Sequence, residues 1–290
     1  MKKILKMLMT VNSHCSKPLL PILLTVCLTV LPLTGFAQRT VWSLPQYKET
    51  VRSGSVAFGK AFARDTYLSA SSYSGWALGF EGDSWTGYKP YRLFKYGRGH
   101  SSLFFSSMTN RLKGGSTLQL SGSDHAAFLW PAVNCSMCDL LIGPVVMMNL
   151  GLLYNQQNSN NPVTMEGYLG AGLCVDNTFR FSLFRYDMAL QATLYMPLAG
   201  IGVAPDYDQP YWYMYKYSEY GKALHFIWPF NNTAVVQQVA LILPIRADRL
   251  KIGYTFDYTG NSLGGHSRRV GSSLFTIGYV KRFQTKDWDK

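Results

Sequence analysis

Hydrophobic and polar residues alternate with a period of two along most of the chain. In the stretch 249–258, one set of alternate positions holds Leu250, Ile252, Tyr254, Phe256 and Tyr258, and the other holds Arg249, Lys251, Gly253, Thr255 and Asp257. Because successive side chains of a β-strand point to opposite faces, this pattern predicts strands with one apolar and one polar face. We expect about twelve strands, with ten to fourteen possible: 54–63, 75–86, 91–108, 116–130, 139–154, 163–183, 187–203, 211–218, 221–230, 233–246, 249–258 and 272–283.

Two all-β architectures produce this alternation. In a soluble periplasmic β-sandwich the apolar face forms the core, whereas in an outer-membrane barrel it contacts lipid. The second face is rich in small residues, with Ala57, Gly59, Ala61 and Ala63 opposite Val56, Phe58 and Phe62. Small residues suit a narrow interior, and the Tyr and Trp residues near strand ends resemble interfacial girdles. The pattern therefore favours a single antiparallel barrel over the sandwich.

The last expected strand carries an aromatic series that fits assembly in an outer membrane. Phe275, Ile277, Tyr279 and Phe283 occupy alternate positions, interrupted by Lys281. A series that ends on an aromatic resembles the C-terminal signal read by barrel-assembly machinery, with Phe283 as its end. Short turns at 185–187 and 246–248 predict the periplasmic side, and longer loops at 155–162, 204–210 and 259–271 predict the outer side.

The N-terminus has the composition of a secretory signal peptide. Four lysines at 2, 3, 6 and 17 precede an apolar run at 19–33, and small residues at 35 and 37 flank Phe36. This predicts a signal peptide at 1–37, cleaved near Ala37, and a barrel domain at 38–290 in the outer membrane of a Gram-negative bacterium. Three cysteines remain, Cys135, Cys138 and Cys174, too few for a disulfide scaffold.

The net charge of +12 comes from 28 Lys and Arg against 16 Asp and Glu. Export separates the protein from nucleic acid, so we expect the partners to be outer-membrane lipid and lipopolysaccharide. Basic residues near the third strand would contact lipopolysaccharide phosphates from the surface or bias a lumen toward anions. They are Arg92, Lys95, Arg98, Arg111 and Lys113.

Several segments resemble an uncharacterised family of exported Bacteroidetes proteins, domain of unknown function 3316. The similar segments are DTYLS at 65–69, YSGW at 73–76, GLLYN at 151–155, NSNNP at 158–162, PLAG at 197–200, PDY at 205–207 with Tyr211, and FxIGxVKxF at 275–283. The sequence GGHSR at 264–268 departs from the more aromatic, His-rich segment expected there. The resemblance implies a Bacteroidetes-type outer-membrane barrel and assigns no catalytic or binding residue.

One candidate catalytic pair is His100 and Ser102, whose side chains share a strand face. An imidazole can activate a hydroxyl when a third group orients the ring, as in outer-membrane phospholipases and lipid A deacylases. Neither Gly114 nor Asn110 supplies that group at a suitable spacing. The main expectation is therefore a non-enzymatic small pore or structural surface barrel, and the alternative is a lipid-modifying hydrolase.

The other motifs predict no cofactor and no metal site. Cys135 and Cys138 have CxxC spacing, but the segment 134–139 reads as a turn in which the pair could be oxidised, and Cys174 is the one remaining thiol. His225 is expected to face the lumen, and His266 is expected in an exposed loop. Phosphate-binding loops and paired-carboxylate signatures are absent from the sequence.

Overall fold

The computed structural model describes residues 42–89, 93–110, 115–159, 162–183, 186–206, 213, 216–218, 220–245 and 248–284. The expected signal peptide at 1–37 lies outside these residues. The described strands are β1 Glu49–Asp65, β2 Ser69–Gly87, β3 Tyr96–Thr109, β4 Ser116–Asn134, β5 Cys138–Asn155, β6 Val163–Leu183, β7 Tyr186–Val203, β8 Leu224–Ile227, β9 Asn232–Ile245, β10 Asp248–Leu263 and β11 His266–Gln284. A single 3₁₀ turn, Tyr220–Ala223, precedes β8.

Ten of these strands form one closed antiparallel ring. Each strand pairs with its neighbours in the order β1 to β7, then β9, β10 and β11, and β11 pairs back with β1. The short β8 pairs only with 200–203 of β7, on the edge that β9 uses further along the strand. The all-β barrel is confirmed, and the sandwich is wrong, because one continuous sheet closes on itself.

The register of the ring sets how far the strands tilt. Following paired residues once around the barrel from Gly143 on β5 leads back to β5 at Asn155, twelve residues further along. For ten strands this stagger corresponds to a tilt of about 40° from the barrel axis. Glu49 pairs with Gln284, so the first and last strands meet at one end, called here the terminal end.

The number of strands in the ring falls at the lower limit of the expected range, for two local reasons. The expected strand at 211–218 is wrong where it is described, since Tyr213 and residues 216–217 are helical, and the strand at 221–230 shortens to β8. The outer loop at 259–271 is also wrong, because β10 and β11 continue to a tight turn at Gly264 and Gly265. Among the described residues, no helix combines the length and apolar character of a transmembrane helix.

The two faces of the barrel have the composition that the alternation predicts. On β1, Val56 and Phe58 point outward and are 48% and 45% exposed, whereas Ala57 and Ala61 point inward and are buried. On β10, Ile252 is exposed on the outside and Lys251 and Thr255 are buried inside. Phe256 shares the outer side with Ile252 but is only 9% exposed. The outer wall is therefore largely apolar, and the interior combines small and polar residues with buried apolar clusters such as that of Leu129, Leu141 and Met147.

Candidate functional site

A network of charged side chains fills the middle of the barrel, and Asp83 on β2 lies at its centre. Oδ2 of Asp83 accepts a hydrogen bond from the Ser53 hydroxyl at 2.9 Å. The same oxygen forms an ion pair with Nζ of Lys251 on β10. Oδ1 lies 3.1 Å from Nδ1 of His100 and 3.7 Å from Nη2 of Arg98. Because Asp83 is buried among donors, its carboxylate is balanced by cations from β3 and β10.

Arg98 on β3 connects this centre to the opposite wall. Its Nη1 lies 2.7 Å from Oδ2 of Asp176 on β6, and its Nε donates to the Tyr195 hydroxyl on β7 at 2.6 Å. Its Nη2 donates to Oε1 of Gln238 on β9 at 3.0 Å. The guanidinium also lies over the Trp85 ring, 4.4 Å from the centroid. One buried side chain thus joins four strands across the lumen.

Several polar atoms around the network have no hydrogen-bond partner among the described residues. They include Nε2 of His100, both ring nitrogens of His125 and Oε1 of Glu81. The other oxygen of Glu81 accepts from Thr255 at 3.0 Å. The free space beside them is a cavity of about 10 Å³, lined in part by His100, Glu81 and Asp257. That is close to the volume of one water molecule, so the cavity leaves no room for an organic substrate.

His100 is buried in the barrel interior, whereas Ser102, on the same face of β3, is half-buried and lines a cavity of about 510 Å³ on the outer wall beside Leu103. The expectation that His100 lacks an orienting group is wrong, because Asp83 on the neighbouring strand holds its Nδ1. Ser102 does not complete the arrangement, since its hydroxyl bonds to the Ser123 hydroxyl at 2.8 Å. Nε2 of His100, the ring nitrogen that Asp83 leaves free, has no hydrogen-bond partner among the described residues, so the ring does not contact Ser102 and the geometry does not assemble the nucleophile pair of a lipid hydrolase.

The basic residues near the third strand have different surroundings. Arg98 is buried and paired with acids, so its charge is not available to a surface phosphate. Lys95 is exposed at the terminal end. Arg92, Arg111 and Lys113 lie outside the described residues.

The cysteines lie where the sequence predicts. Cys135 and Cys138 flank the two-residue turn between β4 and β5, and the Cys135 amide donates to the Cys138 carbonyl at 2.9 Å. Cys174 is buried on β6, paired in register with Gly143, several residues away from Cys138. The three thiols are free and do not converge on one point.

A second polar cluster lies at the end of the barrel opposite the terminal end. The expectation that His266 is exposed is wrong: it is 3% exposed, and its Nε2 lies 2.8 Å from Oε1 of Glu166. Asp65 and Arg268 flank this pair. His225 is half-buried and bonds to the Ala204 carbonyl at 3.1 Å. The outer faces of β1 and β11 turn polar here, at Arg64, Ser267 and Arg269, so the cluster lies beyond the apolar band.

The sequence contained a signal for the interior network that alternation alone did not reveal. On β2 the residues Glu81, Asp83 and Trp85 continue the alternate positions of Gly75, Ala77 and Gly79, so they share the interior face. Charged residues on a small-residue face predict an ionic interior. Their partners on β3, β6 and β10 depend on register, which the sequence does not give.

These features define a closed ten-stranded antiparallel barrel with an apolar outer wall and an ionic interior. The chain belongs to the family described as protein of unknown function (DUF3316), whose model matches residues 22–287. No curated protein matches the sequence significantly. The chain is similar in structure to an outer membrane channel from Pseudomonas putida F1, with 9% identity over 86% of this chain and 100% of that one, at a TM-score of 0.37.

Proposed function

We propose that this protein is a non-enzymatic barrel of the Gram-negative outer membrane whose lumen is closed by its own side chains. The outer wall supports a membrane location. Large apolar residues are exposed on strands all around the ring, among them Phe80, Leu103, Leu150, Leu169, Ile201 and Ile277. In water so large an apolar surface would drive association, whereas in a bilayer it contacts lipid. Closure of the ring also pairs each of its ten strands with a neighbour on both sides, which a bilayer requires because it offers the backbone no water.

The closed lumen rests on one observation, the contacts that Arg98 makes across the barrel. Arg98 bonds to Gln238 on the strand diametrically opposite in the ring and pairs with Asp176 on a third strand. Two cavities inside the barrel, one beside His100 and one beside Glu166, have volumes of only about 10 and 20 Å³. This chain of direct contacts from wall to wall obstructs the lumen at the level of Arg98. This supports a structural or surface-binding barrel over an open pore.

Conductance in planar lipid bilayers tests the proposal. We expect the refolded full chain to give no steady ion current, and we expect the double variant Arg98→Ala, Gln238→Ala to raise the current by removing the central contacts. Ser101→Ala, on the outer face of the same strand, is the matched control and should behave as the parent chain does. Steady current through the parent chain would overturn the closed lumen and favour the small pore.

The last strand supports recognition by barrel-assembly machinery. Phe275, Ile277, Tyr279 and Phe283 all point outward and are exposed, on a strand that closes the ring against β1. We expect Phe283→Ala to lower the amount of folded barrel in the membrane, with Phe230→Ala, an exposed aromatic outside the strands, as the control. Contacts of the outer wall with lipid and lipopolysaccharide follow from the same location.

A further inference from the structure

Asp65, Glu166 and His266 converge at the end of the barrel opposite the terminal end. Each offers one ligand atom, the three atoms lie within 4.8 Å of one another, and all three residues are buried. We propose that these three residues bind one divalent transition-metal cation, which ties the ends of β1, β6 and β11 together.

Each of the three side chains is held by one atom and has another available. Nδ1 of His266 lies 3.4 Å from the Gly264 carbonyl, so the ring can donate there and leave Nε2 for a metal. Oδ1 of Asp65 accepts from the Tyr67 amide at 2.9 Å, and Oε2 of Glu166 accepts from Nδ2 of Asn261 at 2.9 Å. Outer contacts of this kind are what orient histidine and carboxylate ligands in metal sites.

Buried oxygen atoms without a hydrogen-bond donor give an independent indication that the cluster binds a cation. Oδ2 of Asp65 and Oδ1 of Asn261 are both buried, and neither has a hydrogen-bond partner among the described residues. Asp65 as a whole is 4% exposed. A buried carboxylate oxygen without a donor is costly, and a cation removes that cost. Glu166 and Asn261 also line a cavity of about 20 Å³, enough for one ion or water.

The local backbone explains why His266 points into the cluster. β10 and β11 are joined at Gly264 and Gly265, both with positive φ, of 56° and 75°. A side chain at Gly264 would come within 2.4 Å of the Pro205 carbonyl, so glycine is required there. His266 follows as the first residue of β11 and faces inward, with its ring centroid 5.6 Å from that of Tyr67 and the two rings tilted by 50°.

Arg268 is the one cation beside the cluster in the part of the chain that the structure describes. Its Nη1 lies 3.5 Å from Oε2 of Glu166, on the oxygen that Asn261 also contacts. In the ion-free protein Arg268 balances part of the acidic charge, and in the metal-bound protein it repels the ion. Removing its charge should therefore strengthen metal binding while weakening the ion-free barrel. If the residues formed only an ion-pair cluster, removing the charge of Arg268 would weaken the ion-free barrel and would not strengthen metal binding.

The donor set indicates the class of ion. Two carboxylates and an imidazole, with an amide oxygen nearby, suit first-row divalent cations, whereas calcium prefers an all-oxygen shell. Zinc is the probe of choice because it imposes no geometry through its d-electrons. Three protein ligands leave at least one coordination position open, but the cavity is too small for a substrate, so the ion's role is structural.

The test measures zinc binding by the full chain in detergent micelles, after tag removal and chelator treatment. We expect one zinc per chain by elemental analysis, and competition with a chromophoric chelator gives the affinity. His266→Gln and Asp65→Asn should each weaken binding at least about tenfold. His225→Gln is the matched control for loss of a histidine, and it should bind as the parent chain does. Arg268→Gln should bind zinc more tightly than the parent chain.

Two further measurements keep the result unambiguous. The same titration on the double variant Cys135→Ser, Cys138→Ser should still give one zinc, which excludes thiol binding at the turn. Resistance of each variant to protease reports whether the barrel has folded. If His266→Gln does not fold, Asp65→Asn, which keeps the size of the side chain, still tests the site. Substoichiometric zinc in the parent chain, or one zinc unaffected by both variants or lost with the cysteines, overturns the site.

Discussion

Arg98 and Gln238 meet at the centre of the barrel, with Nη2 of the arginine 3.0 Å from Oε1 of the glutamine, although their strands are five positions apart in a ring of ten. The contact shows how the interior is filled. Buried apolar clusters, such as the one around Leu141 and Met147, fill part of the interior, but they do not account for the charged groups at its centre. Directional bonds between ionised and amide groups organise that centre instead, and each depends on its partners being in place.

Asp83→Asn tests how strongly the interior depends on one carboxylate. The change leaves the buried Lys251 and Arg98 short of negative charge, and removing one member of a buried ion pair costs about 3–5 kcal/mol. We expect a fall of that size in the free energy of unfolding, measured by urea titration in micelles. The control is Asp124→Asn, an exposed aspartate on the outer wall, which should change it little. Equal effects of the two variants would contradict an ionic core.

Ile252→Arg tests the orientation of the wall. Ile252 is 42% exposed on the outer side of β10, and an arginine at mid-bilayer on the lipid face costs about 2–4 kcal/mol. We expect less folded barrel in membranes, measured by fractionation and protease resistance. Ser107→Arg, on the outer face of β3 near its end, should assemble normally. Normal assembly of both variants would argue against lipid at Ile252.

The alternation of side chains was enough to predict which residues face which side. Ile277 and Phe275 point outward and Thr276 inward because every residue of a strand reverses direction, whatever the strand pairs with. The choice of the barrel over the sandwich also needed the small residues of the second face, the Tyr and Trp residues near strand ends and the aromatic series that ends at Phe283. The alternation does not tell whether an apolar face contacts lipid or a second sheet. That depends on whether the sheet closes into a barrel, which the structure shows.

The site could not be predicted in the same way, because its contacts join residues that are distant in sequence. Asp83 and Lys251 come together through the stagger of the whole ring, to which every turn contributes. His266 was misplaced for a local reason: Gly264 and Gly265 read as part of a long loop, whereas they form a two-residue turn that lets β11 begin at His266. Two adjacent glycines between alternating segments were the available signal.

Ser102→Ala tests the hypothesis that His100 and Ser102 are not catalytic. Ser102 bonds to Ser123 and His100 does not contact it, so we expect the purified barrel to hydrolyse neither phospholipid nor lipid A, with or without the serine. The measurement is release of fatty acid from mixed micelles by the refolded chain. Hydrolysis that disappears with Ser102→Ala and survives in Ser101→Ala would show that the hydrolase alternative is right.

The reactivity of the thiols tests the position of the β4–β5 turn. Cys135 is exposed and Cys174 is fully buried, so a polar alkylating reagent should label the folded, reduced barrel at Cys135 and leave Cys174 unlabelled until the barrel unfolds. Mass spectrometry of peptides locates the label. Labelling of Cys174 in the folded barrel would mean that the interior is open to solvent, against the closed lumen. Labelling of Cys135 only after reductant would reveal an oxidised Cys135–Cys138 pair.

The pH dependence of stability tests the environment of Asp65. Burial raises the pKa of Asp65 from 3.8 to about 6, against the opposing charge of Arg268. Between these values the folded barrel keeps a proton that the unfolded chain releases, so this group lowers the stability of the barrel as pH rises from about 4 to 6. Asn cannot titrate, so the unfolding free energy of Asp65→Asn should rise relative to the parent chain across that window.

The groups that face Asp65 are Glu166, His266, Arg268 and Tyr67, and the comparison of the two chains reports Asp65 together with the response of these neighbours to its charge. Urea unfolding at several pH values, with chelator present to exclude cations, gives the difference. Asp124→Asn serves as the control for removing a carboxyl outside the interior. If the difference in unfolding free energy between Asp65→Asn and the parent chain were constant from pH 4 to 7, Asp65 would be solvated in the folded barrel. That result would contradict the buried cluster.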